Sequence, residues 1–212
     1  MEDHAPFSSA EFWRNRYRTG GHSGAGAYGR LAVYKAHIVN VVAESRKVRS
    51  VVEFGSGDGN TASLFHLRRY TGVDVSPEVI ERARARLGDR TGWCWKSLEE
   101  FDADPQMHDM AMSLDVIYHL VEDAVFEAYM RRMFAAAGRL VLIYSSDHAG
   151  EAGGAPHVRH RAYSDWIARE MPDWTLGRSW KQPFPFGPGT NPRQTSFAFF
   201  RLYRKTASRE PA

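Results

Sequence analysis

The chain holds a single cysteine, Cys94, among 212 residues. An internal disulfide is thereby excluded, and a reducing compartment is expected. No apolar run approaches the roughly 20 residues that carry a helix across a bilayer. The opening MEDHAPFSSAEFWRNRY lacks a basic start followed by an apolar stretch, so no secretory signal is expected. Neither sign of charge dominates: 28 Lys and Arg against 25 Asp and Glu leave a formal net charge of +3. That is well short of the excess typical of a dedicated nucleic-acid binder. Internal repeats and long low-complexity stretches are missing too. A soluble, cytoplasmic protein is expected, and the 43% hydrophobic content is enough for one sizeable core in one domain.

What is present begins with five glycines, Gly20, Gly21, Gly24, Gly26 and Gly29, within the stretch from Trp13 to Asn40. The first part of that stretch reads as a short helix and the glycines as a loop. Residues 31–44 return to helical periodicity. Strands and helices then alternate. Strands are expected over 48–54, 70–75, 92–96, 108–116 and 139–144, and helices over 60–67, 77–87 and up to about Ala136. Ser76 is the natural N-cap of the second of these helices, with Pro77 at its first position. Such alternation implies a parallel, doubly wound sheet with right-handed crossovers. After a helix over 164–170, residues 174–181 and 196–204 read as two strands joined by QPFPFGPGTNPRQ. With no helix between them, they suit an antiparallel pair at the sheet edge.

The glycine-rich turn GSGDGN, Gly55 to Asn60, follows the first strand. Ligands in such sheets bind beyond the carboxyl ends of the central strands, where this turn lies. A dinucleotide fingerprint runs G-x-G-x-x-G/A and aims backbone amides at a pyrophosphate. Here the third glycine comes one place early. Glu53 just before the turn and Asp58 within it would repel a pyrophosphate and attract a cation. Asp74 ends the second strand, placed to accept hydrogen bonds from ribose hydroxyls. S-adenosylmethionine carries an ammonium, a sulfonium and a ribose, and fits these acids.

VVEFGSGDGN, then VDVS, then the strand MAMSLDV resemble a class I S-adenosylmethionine-dependent methyltransferase over residues 48–146. The resemblance implies a Rossmann-like seven-stranded α/β sheet in the order 3-2-1-4-5-7-6, strand 7 antiparallel, with helices on both faces. It places Glu53, Gly55 and Gly57 around the methionine part of the donor and Asp74 with Val75 at the ribose. Ser97 and Leu98 fall near the adenine, without the acid often found there, and Leu114 and Asp115 end the fourth strand beside the donor. Within a single domain, 1–45 is then an N-terminal lid and helix, 46–146 the cofactor core, and 147–212 a substrate-side loop and hairpin. Tyr17, Ser23 and Tyr28 supply lid hydroxyls toward the donor, His22 a titratable ring toward the acceptor, and glycines let the backbone approach closely.

Methyl transfer to a hydroxyl needs a general base, most often histidine. His119 follows Asp115 by four residues, a spacing at which a carboxylate orients the ring if a helix has begun. Tyr118 and His119 are expected beside the acceptor. A second cluster follows the fifth strand: Asp147 and His148, then His157, Arg159, His160 and Arg161. His148 is an alternative base. The rest suit an acceptor site for hydroxyls or an anionic group. Asp115, Asp147 and His148 are also candidate ligands for a divalent ion such as Mg²⁺, though no compact ligand motif exists.

From His157 onward ten Lys and Arg (159, 161, 169, 178, 181, 193, 201, 204, 205, 209) face four acids (165, 170, 173, 210), a basic rim for a hydroxyl-rich or anionic partner. SLDVIYHLVED with the later HVRHR is similar to small bacterial methyltransferases of sugar and polysaccharide pathways, among them the mycobacterial O-methyltransferases of methylmannose oligosaccharides. An O-methyltransferase of a small polar acceptor, a sugar or oligosaccharide, is therefore expected. Two other readings stay open. One is an RNA or nucleotide methyltransferase, disfavoured because no NPPY-like tetrapeptide follows the fourth strand. The other is a non-catalytic domain that keeps the cofactor fold as a scaffold.

Overall fold

The computed structural model describes residues 7–151 and 155–206. Seven strands make the main sheet: β1 (Val51–Phe54), β2 (Tyr70–Asp74), β3 (Trp93–Ser97), β4 (His108–Leu114), β5 (Ala137–Ser145), β6 (Trp174–Trp180) and β7 (Phe199–Lys205). Their order is β3-β2-β1-β4-β5-β7-β6, as the resemblance implies. The first five are parallel, and β7 runs antiparallel between β5 and β6. A two-residue ladder pairs Gly150–Glu151 with Arg159–His160 outside this sheet.

Six helices cover the sheet: α1 (Ser9–Arg18), α2 (Gly29–Ser45), α3 (Pro77–Leu87), α4 (Leu98–Ala103), α5 (Asp123–Ala135) and α6 (Tyr163–Glu170). Local chemistry sets their starts. The Ser8 side chain accepts from Glu11 N, and Ser76 caps α3 ahead of Pro77. Ser97 and Glu100 form a capping box at α4, a helix that the residue pattern does not announce. None of the described helices is long and apolar enough to cross a membrane.

Strand residues alternate between two cores. Val51, Met110, Leu142 and Leu202 pack against α2 and α3 on one face. Val52, Ala111, Val141 and Tyr203 pack against α4, α5 and α6 on the other. β1 is buried at all four positions, as a central parallel strand must be.

The helix expected over 60–67 is absent; only a single 3₁₀ turn, Ala62–Leu64, forms there. The cause lies on α2. Asn40 donates to Leu64 O at 3.1 Å and accepts from His66 N at 2.8 Å, so the groups that would extend the turn are already satisfied. Of the residues between Ala62 and β2, only Phe65 is fully buried, with Leu67 packed at the core's edge. The short link keeps the glycine turn close to α2. The lid segment expected over 1–45 is α1, a glycine loop and α2; its first six residues lie outside those described.

Candidate active site

The glycine turn is built on left-handed backbone. Gly55, Gly57 and Gly59 have φ of 76°, 58° and 71°. Gly55 N and Ser56 N both donate to Val73 O, at 2.7 and 3.0 Å, which curls the chain back over the end of β2. A Cβ on Gly55 would strike Val116, and one on Gly57 the hydroxyl of Ser23. Glycine at these two places lets the backbone come close to whatever occupies the crevice.

Two buried carboxylates flank the turn. Asp74 accepts from Gly57 N at 2.9 Å and Ser76 N at 3.1 Å. Burial pushes its pKa up to about 6, against these backbone bonds. Glu53 accepts from the Tyr70 hydroxyl at 2.5 Å. Burial pushes it up to about 8, although Tyr70 and the charge of Lys35 pull it down. That shift favours the protonated carboxyl, and a cation nearby would favour its ionised form. Asp74 and Val75 end β2, Ser97 and Leu98 bridge β3 and α4, and Leu114 and Asp115 leave β4, all at the carboxyl edge of the sheet.

Hydroxyls of the N-terminal segment converge on this turn. Tyr17 Oη lies 3.0 Å from Ser23 Oγ, and Ser23 Oγ accepts from Asp58 N at 3.0 Å. Tyr28 donates to Asp58 Oδ2 at 2.5 Å, and Asn60 Nδ2 donates to Ala27 O at 2.6 Å. Two arginines tie the same segment down. Arg14 Nε reaches Val75 O at 3.0 Å, and Arg82 bonds Tyr17 O and Gly21 O. His22 stays apart from the other histidines: its Nδ1 accepts from Gly24 N at 3.0 Å, and its ring meets Tyr28.

The link expected between Asp115 and His119 is replaced by another. Asp115 adopts φ 62°, and the chain then makes a 3₁₀ turn, Ile117–His119, rather than an α-helix. Three residues per turn bring position i+3 under the carboxylate, not i+4. Tyr118 accordingly donates to Asp115 Oδ1 at 2.9 Å. Asp115 Oδ2 pairs with Lys35 Nζ at 2.5 Å. Lys35, on α2, is only 2% exposed. Its pairing was not anticipated from the sequence, where the signal is a lysine within the apolar stripe of Leu31, Ala32, Ala36, Val39 and Val42.

His119 turns instead toward His157, its Nδ1 2.8 Å from His157 O. Burial pushes its pKa down to about 4, and the charges of His157 and Arg16 add to that. Around it lie Trp13 at 4.9 Å, Tyr118 at 4.5 Å and the stacked ring of His157 at 5.5 Å. His160 Nδ1 is 2.7 Å from Ser146 Oγ, and its ring lies 4.4 Å from His148 and 4.8 Å from Phe197. The structure therefore gathers Tyr118, His119, His148, His157 and His160 on one side of Asp115.

The arginines expected beside them are braces. Arg161 is buried and donates to Leu120 O, Val121 O and Asp123. Arg159 donates to Val121 O and pairs with Asp123 at 3.0 Å. The proposed divalent site is not assembled. Asp115 is matched by Lys35, and Asp147 by Arg201 at 2.5 Å and by Ser164 N at 3.0 Å. His148 is exposed and turned to His160. Among the described residues, no three His, Cys, Asp or Glu side chains converge as metal ligands. A cleft of about 990 Å³ opens beside α5 and α6, with Arg159, His160 and Arg161 in its wall and none of the residues expected to hold the donor.

Comparison with known proteins agrees with this geometry. Residues 51–138 match the model of a methyltransferase domain. No curated protein sequence matches the chain. Among solved structures, the magnesium protoporphyrin IX methyltransferase of Synechocystis PCC 6803 with bound S-adenosylmethionine aligns with TM-score 0.67 at 11% identity, covering 96% of this chain and 100% of that one. The N-methyltransferase NodS of Bradyrhizobium japonicum WM9, in complex with S-adenosyl-L-homocysteine, aligns with TM-score 0.65 at 14% identity, over 94% and 99%. The methyltransferase domain of a bacterial Hen1 aligns with TM-score 0.64 at 20% identity, over 82% and 97%. These structures share the fold, and the domain model covers the strands that carry the glycine turn and its acids. Residues 51–138 thus match a methyltransferase domain, and the described chain shares the fold of structures solved with S-adenosylmethionine or S-adenosylhomocysteine bound.

Proposed function

We propose that the enzyme transfers the donor's methyl group to a hydroxyl of a small polar acceptor, a sugar or oligosaccharide, with His119 as general base. In-line displacement breaks the S–CH₃ bond, its electrons staying on sulfur, and forms O–CH₃. The hydroxyl proton passes to the imidazole. One observation carries this reading: the tautomer of His119. An Nδ1 that faces a carbonyl oxygen at 2.8 Å must carry the hydrogen, which leaves the Nε2 lone pair free. With its pKa pushed to about 4, the ring is neutral across the working range, so the base form is always present. Burial disfavours an imidazolium, but the reaction consumes the sulfonium charge as it creates that one. Positive charge moves across the site rather than accumulating there. Trp13, Tyr118 and Phe197 add aromatic faces on which a sugar ring can stack.

The donor side rests on acids whose charge follows the ligand. Asp58 and Asp74 face the turn, and Glu53 ionises when a cation binds. Asp115 is fixed between Lys35 and Tyr118, and aligning donor and acceptor across it is where the chain's own rigidity contributes to rate.

The test is release of S-adenosylhomocysteine with a panel of mono- and oligosaccharides, comparing wild type with His119→Ala. Turnover should fall about 10²–10⁴-fold, the usual contribution of a general base, with donor affinity within about two-fold. Full activity of the variant would place the base elsewhere.

A further inference from the structure

The geometry points to an anion-binding subsite beside His119, formed by Arg16, His157 and the pair His148 and His160, which selects an acceptor bearing a carboxylate or phosphate near its reactive hydroxyl. It rests on the reading that the acceptor meets the donor at His119.

Most cations around the site already have partners: Arg82 donates to the carbonyls of Tyr17 and Gly21, and five others face a carboxylate. Lys35 has Asp115, Arg159 and Arg161 share Asp123, Arg201 has Asp147, and Arg14 has Glu99. The nearby acid Glu122 is held by Ser9 through both backbone N and hydroxyl. Arg16 differs. It is half-buried on α1 with its guanidinium carbon 5.6 Å from the Trp13 ring, and its Nε donates to His22 O at 2.8 Å. Among the described residues no carboxylate pairs with it. Its terminal amino groups are thus available to a planar anion, which guanidinium binds through two parallel bonds.

Imidazoles extend the same rim. His157 stacks on Phe12 at 4.5 Å and on His119 at 5.5 Å. Tyr118 and Phe197, 4.9 Å apart, join that pair to His148 and His160. His157, His160 and Arg16 are half-buried and His148 is exposed, so solvent and ligand reach them. Burial holds His157 and His160 below the usual histidine range, and the charge of Arg16 on the first and of His148 on the second pushes the same way. An anion there would oppose these shifts through its charge and favour protonated rings. A cationic acceptor would meet only like charge.

The test uses the full chain with S-adenosylhomocysteine bound and matched small molecules. Glucose, glucose 6-phosphate, glucuronic acid and inorganic phosphate are titrated by calorimetry, and the histidine ring nitrogens are followed by NMR. Glucose 6-phosphate or glucuronic acid should bind at least about ten-fold more tightly than glucose and shift the His157 and His160 rings. Whichever wins identifies phosphate or carboxylate as the group. Arg16→Met should remove that preference and Arg16→Lys restore part of it, with S-adenosylhomocysteine affinity measured on the same samples to exclude a misfolded lid. Equal binding of glucose and glucose 6-phosphate, or an unchanged preference in Arg16→Met, overturns the proposal. Tighter binding of an oligouridylate with steep salt dependence also overturns it, in favour of a nucleic acid. Loss of the base role, seen as full activity of His119→Ala, leaves these binding results untouched, so the two readings fail separately.

Discussion

Replacing Glu53 by Gln isolates one proton in a buried site. The glutamine keeps an oxygen for the Tyr70 hydroxyl and the same volume, and removes only the ionisation. In the folded protein Glu53 holds its proton up to about pH 8; unfolded, it loses it near 4.5. Between those values the folded state binds more protons than the unfolded one, so this group makes stability fall as pH rises through the window. At 1.36 kcal/mol per pH unit the whole window is worth at most about 5 kcal/mol, of which about 3 is lost by pH 7. The variant lacks this term. Urea unfolding at pH 5, 7 and 9 should show Glu53→Gln close to wild type at the acid end and several kcal/mol more stable at pH 9. Donor binding gives the complementary readout. A cationic donor favours the carboxylate, so wild type should release close to one proton on binding at pH 7, measured by calorimetry in buffers of differing ionisation enthalpy. The variant should release far less and bind the donor more weakly. Parallel stability curves for the two proteins would refute the reasoning, because they would mean that Glu53 is ionised in the free enzyme.

Lys35→Met should destabilise the fold by about 3 kcal/mol in urea unfolding, the lower end for breaking a buried pair because Asp115 retains some solvent contact, and adding Asp115→Asn should recover most of it. Asp74→Asn should weaken donor binding at least about ten-fold by calorimetry. It should cost about 1–3 kcal/mol of stability, because one of the two backbone donors at 2.9 and 3.1 Å loses its acceptor. Gly57→Ala combines a left-handed φ of 58° with a clash against Ser23, so S-adenosylhomocysteine affinity should fall together with a stability loss of about 1–2 kcal/mol. Removing residues 1–30 should abolish donor binding; unchanged affinity in calorimetry would end the lid reading.

The sheet could be read from the sequence because its signals are local and redundant. Apolar runs of strand length, separated by capped helices, leave few topologies once parallel crossovers must be right-handed. α3 shows this best: Ser76, Pro77 and an apolar repeat ending at Leu87 fix both of its bounds. The failures came where a distant side chain settled a local choice. Residues 60–67 have helical composition, but Asn40 on α2 takes the backbone groups that would continue the helix. The four-residue spacing of Asp115 and His119 was an honest helical signal too. It was undone by one left-handed residue, which starts a 3₁₀ turn and hands the carboxylate to Tyr118.

Charge at the glycine turn meets the same limit more sharply. Counting acids around the glycine turn gives the sign of the field that excludes a pyrophosphate, and that much a sequence can supply. It does not give the protonation state, which depends on burial and on partners far along the chain. The pKa of Glu53 is raised because the group is enclosed, and Asp115 is matched because a lysine 80 positions away pairs with it. Two of the four acids that the sequence offers the donor are thus silent until the ligand arrives or the pair opens. A site built this way is less negative when empty than its composition suggests, which lowers the self-repulsion of the closed lid. The full attraction appears only as a cation enters and displaces the Glu53 proton. Affinity for the donor should therefore rise with pH between about 6 and 8, a slope that the residue count alone would never predict.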